Sequence, residues 1–154
     1  KEMDIVVSFG VLEHLENPKS TFKKLTDCLR DKGILLVSCP SFLNVRGIIW
    51  MSLVKLFNVP MSLSDKHFLS IADFKDFAEF ANVELFDSCS LDMEVAQGKD
   101  FRLDMEKRLH NALNDVGMKD SGVGNLIAWV ESNMPYFAKG NLSGAETLYF
   151  FKKA

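Results

Sequence analysis

A chain of 154 residues can bury a hydrophobic core, and 47% hydrophobic against 25% charged residues is an ordinary balance for a globular protein. The formal net charge of −3 leaves no basic surplus, so binding to a nucleic-acid backbone is not expected. Cys28, Cys39 and Cys89 stand far apart without a CxxC pair, which argues against a disulfide framework or a thiolate zinc site and for a reducing, cytoplasmic setting.

The opening Lys-Glu-Met-Asp shows no signal-peptide pattern and runs directly into Ile5-Val-Val-Ser-Phe9, closed by Gly10. Such a β-branched and aromatic run predicts a strand buried on both faces of a parallel sheet. Asn17 offers a helix cap with Pro18 in the first helical position, and Phe22, Leu25 and Leu29 form an apolar stripe. Arg30, Lys32 and Gly33 predict the end of that helix, with Gly33 as the left-handed residue. Ile34 to Val37 reads as a second buried strand, completing a right-handed βαβ unit.

Val45 to Phe57 carries a helical apolar stripe with Arg46 and Lys55 on a polar side, and Pro60 breaks it. The apolar stretch from Ile48 to Leu63 is interrupted by Lys55, Asn58 and Pro60 and is shorter than the roughly 20 residues that cross a bilayer, so no membrane span is expected. Ser70-Ile-Ala-Asp73 resembles a capping box that starts a helix through Phe74, Phe77, Ala78 and Ala81. A strand over Val83–Leu91, a helix over Phe101–Val116, a helix through Leu126 to Met134 stopped by Pro135, and a strand over Thr147–Phe151 follow. No repeat, low-complexity segment or interdomain linker interrupts this order.

Two patches carry a family resemblance. Asp4 to Phe42 (DIVVSFGVLEHLENPKSTFKKLTDCLRDKGILLVSCPSF) resembles the region after the fourth strand of class I S-adenosylmethionine-dependent methyltransferases, the ubiquinone-biosynthesis type above all. Lys66 to Asp87 (KHFLSIADFKDFAEFANVELFD) resembles the later block of histidine, Ser-capped helix and sixth strand. The resemblance implies a Rossmann-like α/β sheet of order 3-2-1-4-5-7-6 with strand seven antiparallel. Asp4–Phe9, Gly33–Ser38, Val83–Leu91 and Thr147–Phe151 would be strands four, five, six and seven of one C-terminal half-domain, with helical insertions at about 43–64 and 100–135. It also implies S-adenosylmethionine as cofactor and a small molecule as acceptor. The family's Gly-rich turn after strand one and its ribose-binding acid would belong to an N-terminal half outside these residues.

Within that resemblance, Ser8, Phe9 and Gly10 fall on the turn that lies against the cofactor, at the C-terminal end of a parallel strand where open α/β sheets bind ligands. Glu13 joins them as a cofactor-side residue. His14 is a candidate general base, because imidazole titrates near neutrality, although architecture and pocket lining remain alternatives. Asn44 and Arg46, just past the fifth strand, and His67, ahead of the Ser-capped helix, are candidate acceptor contacts. For Arg46 an exposed helix charge is the more frequent case, and His67 reads equally as a loop histidine bonded to backbone. The metal-binding carboxylate of the ubiquinone type matches Gly10 here, so no metal site is expected.

Two functions stay open at this level: methyl transfer to a small-molecule acceptor, or a non-catalytic half-domain that binds a partner or itself. The first strand lacks an internal Lys or Pro that would blunt a free edge. Pairing of two copies through that strand, with the Phe22–Leu29 helix in the contact, is therefore expected.

Overall fold

The computed structural model describes residues 2–61 and 65–154, so the last residues of the expected 43–64 insertion lie outside the described residues. Four strands form one sheet: β1 (Met3–Phe9), β2 (Leu29–Pro40), β3 (Val83–Leu91) and β4 (Glu146–Lys153). Their order is β1-β2-β4-β3. β1 pairs parallel to β2, and β4 runs antiparallel to both β2 and β3. This is the 4-5-7-6 half of the expected sheet, with its antiparallel member in place.

Between β1 and β2 lies helix α1 (Pro18–Asp27), started where the sequence predicts: Asn17 caps it by accepting from the Ser20 N–H at 3.1 Å. Its end differs from expectation. The helix stops at Asp27, and Leu29 already pairs with Met3 in the sheet. Residues 30–33 bulge out of the ladder before Ile34 pairs with Ile5, and the left-handed residue is Lys32 (φ 63°), not Gly33. The cause is a competing partnership for the basic end of the segment. Arg30 reaches across to Asp4 at 2.6 Å, and the buried Leu29 packs in the core, so the strand captures residues that a helix count assigns to the last turn.

Helix α2 (Val45–Phe57) ends on Asn58 in the left-handed conformation, two residues before Pro60. Helix α3 (Ile71–Ala81) starts at Ser70, whose N–H and hydroxyl both donate to the Asp73 carboxylate at 2.7 Å. Helices α4 (Met93–Gln97), α5 (Phe101–Asp115) and α6 (Val123–Asn133) follow, and α4 carries no periodicity by which the sequence announces it. Pro135 does not simply stop α6; it sits in a single 3-10 turn, Met134–Tyr136, that continues from it.

Two cores result. The sheet core joins Leu35, Val37 and Cys39 of β2 and Tyr149 and Phe151 of β4 to Phe22 of α1 and Phe74 and Phe77 of α3. Phe22 meets Phe151 edge-on at 4.8 Å between ring centroids, and Phe74 lies 4.4 Å from Tyr149. The second core, around Trp50, Phe101, Met105, Leu109 and Ile127, binds α2, α5 and α6 to one another.

α1 and α3 cover one side of the sheet, so β1 is not buried on both faces as its composition suggests. Val6 packs against the core and Ser8 is buried, while Ile5, Val7 and Phe9 on the opposite face are each more than half exposed. Phe22 and Leu29, expected at a surface of self-association, are fully buried and belong to the core instead. Among the described residues, no helix is long and apolar enough to cross a membrane.

Candidate functional site

The C-terminal ends of the parallel strands β1 and β2 lie side by side. Gly10 leaves β1 with φ 61°, a backbone geometry that glycine adopts without penalty, while its N–H donates to the Ser38 carbonyl of β2 at 3.1 Å. A Cβ built at Gly10 would meet only Glu13 Oε1, at 3.7 Å, so the backbone here is bare toward the outside. Ser8 is buried beneath this turn and Phe9 is exposed beside it. The chain then closes a 3-10 turn, Leu12–His14, with Leu12 fully buried as its anchor.

Glu13 is the hub of the arrangement. Its side chain is buried, and Oε2 accepts a hydrogen bond from the Cys39 thiol of β2 at 3.3 Å. Its carbonyl accepts two further bonds, from the backbone N–H groups of Lys66 (2.9 Å) and His67 (3.0 Å). The turn is thus held to the sheet by a side chain and to the segment before α3 by its backbone. Burial, with the Glu13 charge beside it, pushes the Cys39 thiol far up its scale, so it stays protonated and serves as donor.

His14 stands half-exposed at the rim. Its Nδ1 lies 3.3 Å from the Asp65 carboxylate and its Nε2 lies 3.8 Å from Glu13 Oε1. His67, a candidate acceptor contact or a loop histidine bonded to backbone, places Nε2 2.9 Å from the Leu15 carbonyl and so buttresses the same turn. Lys66 adds an ion pair to Glu16. Asp65, Cys39 and the Ser38–Glu146 hydrogen bond are parts of this region that no sequence motif points to, since their partners lie tens of residues away.

The two other expected acceptor contacts have structural work. Asn44 is buried and caps α2: its carbonyl oxygen accepts from the Gly47 N–H at 2.7 Å, and its amide donates to the carbonyls of Ser41 (3.1 Å) and Gly144 (2.6 Å). Arg46 pairs with Asp104 of α5 at 2.7 Å, both side chains largely buried, and Asp104 also accepts from Arg108 at 2.6 Å. Burial opposes ionisation of Asp104, but the hydrogen bonds and charges of the two arginines outweigh it and hold the carboxyl below its usual range. Among the described residues, no group of three or more His, Cys, Asp or Glu is placed to hold a metal ion.

A half-sheet of order 4-5-7-6, with its ligand-side turn at the end of the first parallel strand, defines the class I S-adenosylmethionine-dependent methyltransferase fold. Residues 1–99 match a family model for a methyltransferase domain, and the chain belongs to that family. Similar solved structures agree on the fold. A protein from Bacillus halodurans described as a methyltransferase shares 14% identity over 99% of this chain and 64% of its own, with a TM-score of 0.54. An S-adenosylmethionine-dependent methyltransferase from Thermotoga maritima shares 12% identity over 98% of this chain and 56% of its own, with a TM-score of 0.56. A mycolic acid cyclopropane synthase, solved in complex with SAH and CTAB, shares 15% identity over 99% of this chain and 55% of its own, with a TM-score of 0.51. The chain therefore spans roughly three fifths of the length of these neighbours. No curated protein sequence matches it.

Proposed function

We propose that these residues form the acceptor-side part of an S-adenosylmethionine-dependent methyltransferase acting on a small molecule, completed by a preceding segment that supplies strands one to three and the Gly-rich turn. The observation that carries the reading is the turn at Gly10: bare backbone at the C-terminal end of β1, clamped to β2 through Glu13 and Cys39. The coverage of about three fifths of the neighbouring folds and the free edge of β1 support the added segment. On this reading the 154 residues are one part of a single domain, with insertions at about 43–64 and 100–135.

The cofactor reading of the turn is supported by its open backbone: Glu13 Oε1, at 3.7 Å, is all that a Cβ at Gly10 would meet, and Ser8 and Phe9 stand on either side of the strand end. Bound there, S-adenosylmethionine would supply an electrophilic methyl group on its sulfonium. The remaining work falls to the chain: to orient the acceptor for in-line attack and, where the acceptor carries a proton, to take it. His14 is the group we assign to that proton. Its Nδ1 lies 3.3 Å from the Asp65 carboxylate and its Nε2 3.8 Å from Glu13 Oε1, so two carboxylates flank the ring at the rim. Glu13 and His67 act by holding the turn, and Asn44 by fixing the start of α2 at the rim.

Calorimetric titration and methyl-transfer assays on the polypeptide carrying this chain test the reading. Gly10→Val should weaken S-adenosylmethionine binding at least tenfold, while His14→Ala should leave binding intact and depress turnover. Normal cofactor affinity in the Gly10 variant would sink it.

A second reading, a module that self-associates through β1, is favoured by the open face of Ile5, Val7 and Phe9. A reducing, cytoplasmic setting is supported by the three free thiols.

A further inference from the structure

Where β2 ends, Ser38 joins two neighbours at once. Its carbonyl accepts the Gly10 N–H, and its hydroxyl donates to Glu146 Oε1 at the start of β4. The alternation of β2 sends Val37 and Cys39 into the sheet core and Ser38 to the opposite face, the face that carries Phe9. The register agrees: Phe9, Ser38 and Leu148 lie side by side on β1, β2 and β4, and Glu146 stands two residues before Leu148. One end of the sheet thus gathers an aromatic ring, a serine hydroxyl and a carboxylate where open α/β sheets receive ligands.

Ser38 is 2% exposed, so its hydroxyl is committed to Glu146 and fixes where that carboxylate stands. Glu146 itself is half-buried. Its Oε1 is taken by Ser38; among the described residues no donor is placed on Oε2, and no Lys, Arg or His pairs with it. The cations of the neighbouring segments are engaged elsewhere, Arg46 with Asp104 and His14 between Asp65 and Glu13. Phe9, 55% exposed, offers a ring on the same face. Both groups favour the same guest. A carboxylate with an open oxygen receives a positively charged N–H donor, and an exposed aromatic face attracts the same charge. An anionic head would meet an uncompensated carboxylate, and a neutral hydroxyl forms a weaker bond than a charged donor does.

We propose that Glu146 is the specificity-determining residue of the acceptor site: with Phe9 on the same face, it selects an acceptor that carries a protonated amino group. Calling the guest an acceptor rests on the methyltransferase reading. Because Ser38 ties Glu146 to the strand end that holds Gly10, the ammonium is seated beside the cofactor-side turn. A charge-assisted bond of this kind is worth roughly ten- to a hundredfold in affinity. Bracing of Ser38 alone would give a different result, since Glu146→Gln keeps an oxygen for the Ser38 hydroxyl and loses only the charge.

The test titrates hexylamine calorimetrically into the polypeptide carrying this chain at pH 7, where an alkylamine with a pKa near the lysine value of about 10.4 is protonated. Hexan-1-ol and hexanoate, which differ only in the head, are the comparisons, and S-adenosylmethionine is titrated separately. Hexylamine is expected to bind at least tenfold more tightly than either comparison. In Glu146→Gln its preference over hexan-1-ol should fall at least tenfold, with S-adenosylmethionine affinity within twofold of wild type. Phe9→Leu should lower the preference by about two- to fivefold. No measurable binding of hexylamine, no preference in the wild type, or an unchanged preference in Glu146→Gln would overturn the proposal. Loss of S-adenosylmethionine binding together with hexylamine binding in Glu146→Gln would also overturn it, by showing that Glu146 only braces the strand end. Failed selectivity with normal S-adenosylmethionine binding in the wild type leaves the methyl-transfer reading standing. Selective hexylamine binding by a wild type that does not bind S-adenosylmethionine removes that reading and, with it, the acceptor assignment.

Discussion

Gly47 lies in the first turn of α2, where replacing glycine by alanine ordinarily stabilises a helix by about 0.5–1 kcal/mol. Here the opposite sign is expected. A Cβ at position 47 would stand 2.2 Å from Phe42 Cα and 2.5 Å from its carbonyl carbon and oxygen, where carbon contacts settle at about 3.5–4.0 Å. All three are backbone atoms, so the first turn of α2 must retreat by more than about 1 Å. That movement strains the Asn44 cap, worth about 1 kcal/mol, and the edge-on contact of Phe42 with Phe68, worth about 0.5–1.5 kcal/mol. Overpacking adds about 1–3 kcal/mol, and the helix-propensity gain offsets part of the total. A net loss of about 2–3 kcal/mol follows, or a fall in Tm of about 5–10 °C for a domain of this size. Gly124 in α6 is the control, because nothing lies within 4 Å of its missing Cβ. Gly124→Ala should raise stability by about 0.5–1 kcal/mol. Urea titration followed by circular dichroism reads both. An unchanged or raised midpoint in Gly47→Ala would refute the claim that backbone contact sets the position of α2.

Arg46→Met should cost about 1.5–3 kcal/mol at neutral pH by removing a charge-assisted bond from a largely buried carboxylate, read by the same titration. The Asp104 carboxyl is depressed in the folded state, so its contribution is fully present above the ordinary carboxylate range near pH 4 and is lost as pH falls through the lower folded value. The difference between wild type and Asp104→Asn should therefore shrink below about pH 4. Cys28 is exposed and should react with a thiol reagent in the native protein at pH 8, whereas Cys39 should react only on unfolding; early labelling at Cys39, located by mass spectrometry, would contradict its assignment as a protonated donor. On β1, Val7→Lys should reduce any self-association seen by light scattering without loss of stability, while Val6→Lys, which reaches the core, should destabilise the fold.

What was legible in the sequence divides by range. The Asn17-Pro18 start of α1, the Ser70–Asp73 start of α3 and the apolar runs of β1 and β3 follow from neighbours within four residues, and all lie where local pattern places them. The end of α1 does not, because Arg30 and Lys32 fit a helix terminus equally well and only the distant Asp4 and the sheet decide. The same limit applies at the site. Gly10, Glu13 and His14 are readable as a motif, yet Asp65 lies 51 residues from His14. Asn44 and Arg46 are readable as polar residues just past a strand, but their partners, Gly144 and Asp104, could not be foreseen. Polar residue types announce capacity for contact; which contact they make is set by folding.

The order β1-β2-β4-β3 puts β4 between two earlier strands, so Leu35, paired with Val6 on one side, acquires its neighbour on the other only when Phe151 arrives. During synthesis at about 5–20 residues per second, β2 and β3 emerge with no ladder between them, and the aromatic core of Phe22 and Phe74 lacks Tyr149 and Phe151 until β4 emerges. Sheet closure therefore waits for β4 and spans long loops, which places this topology among the slower folders. A nascent chain held before β4 has emerged would carry open strand edges and a wet core, a natural client for a holdase.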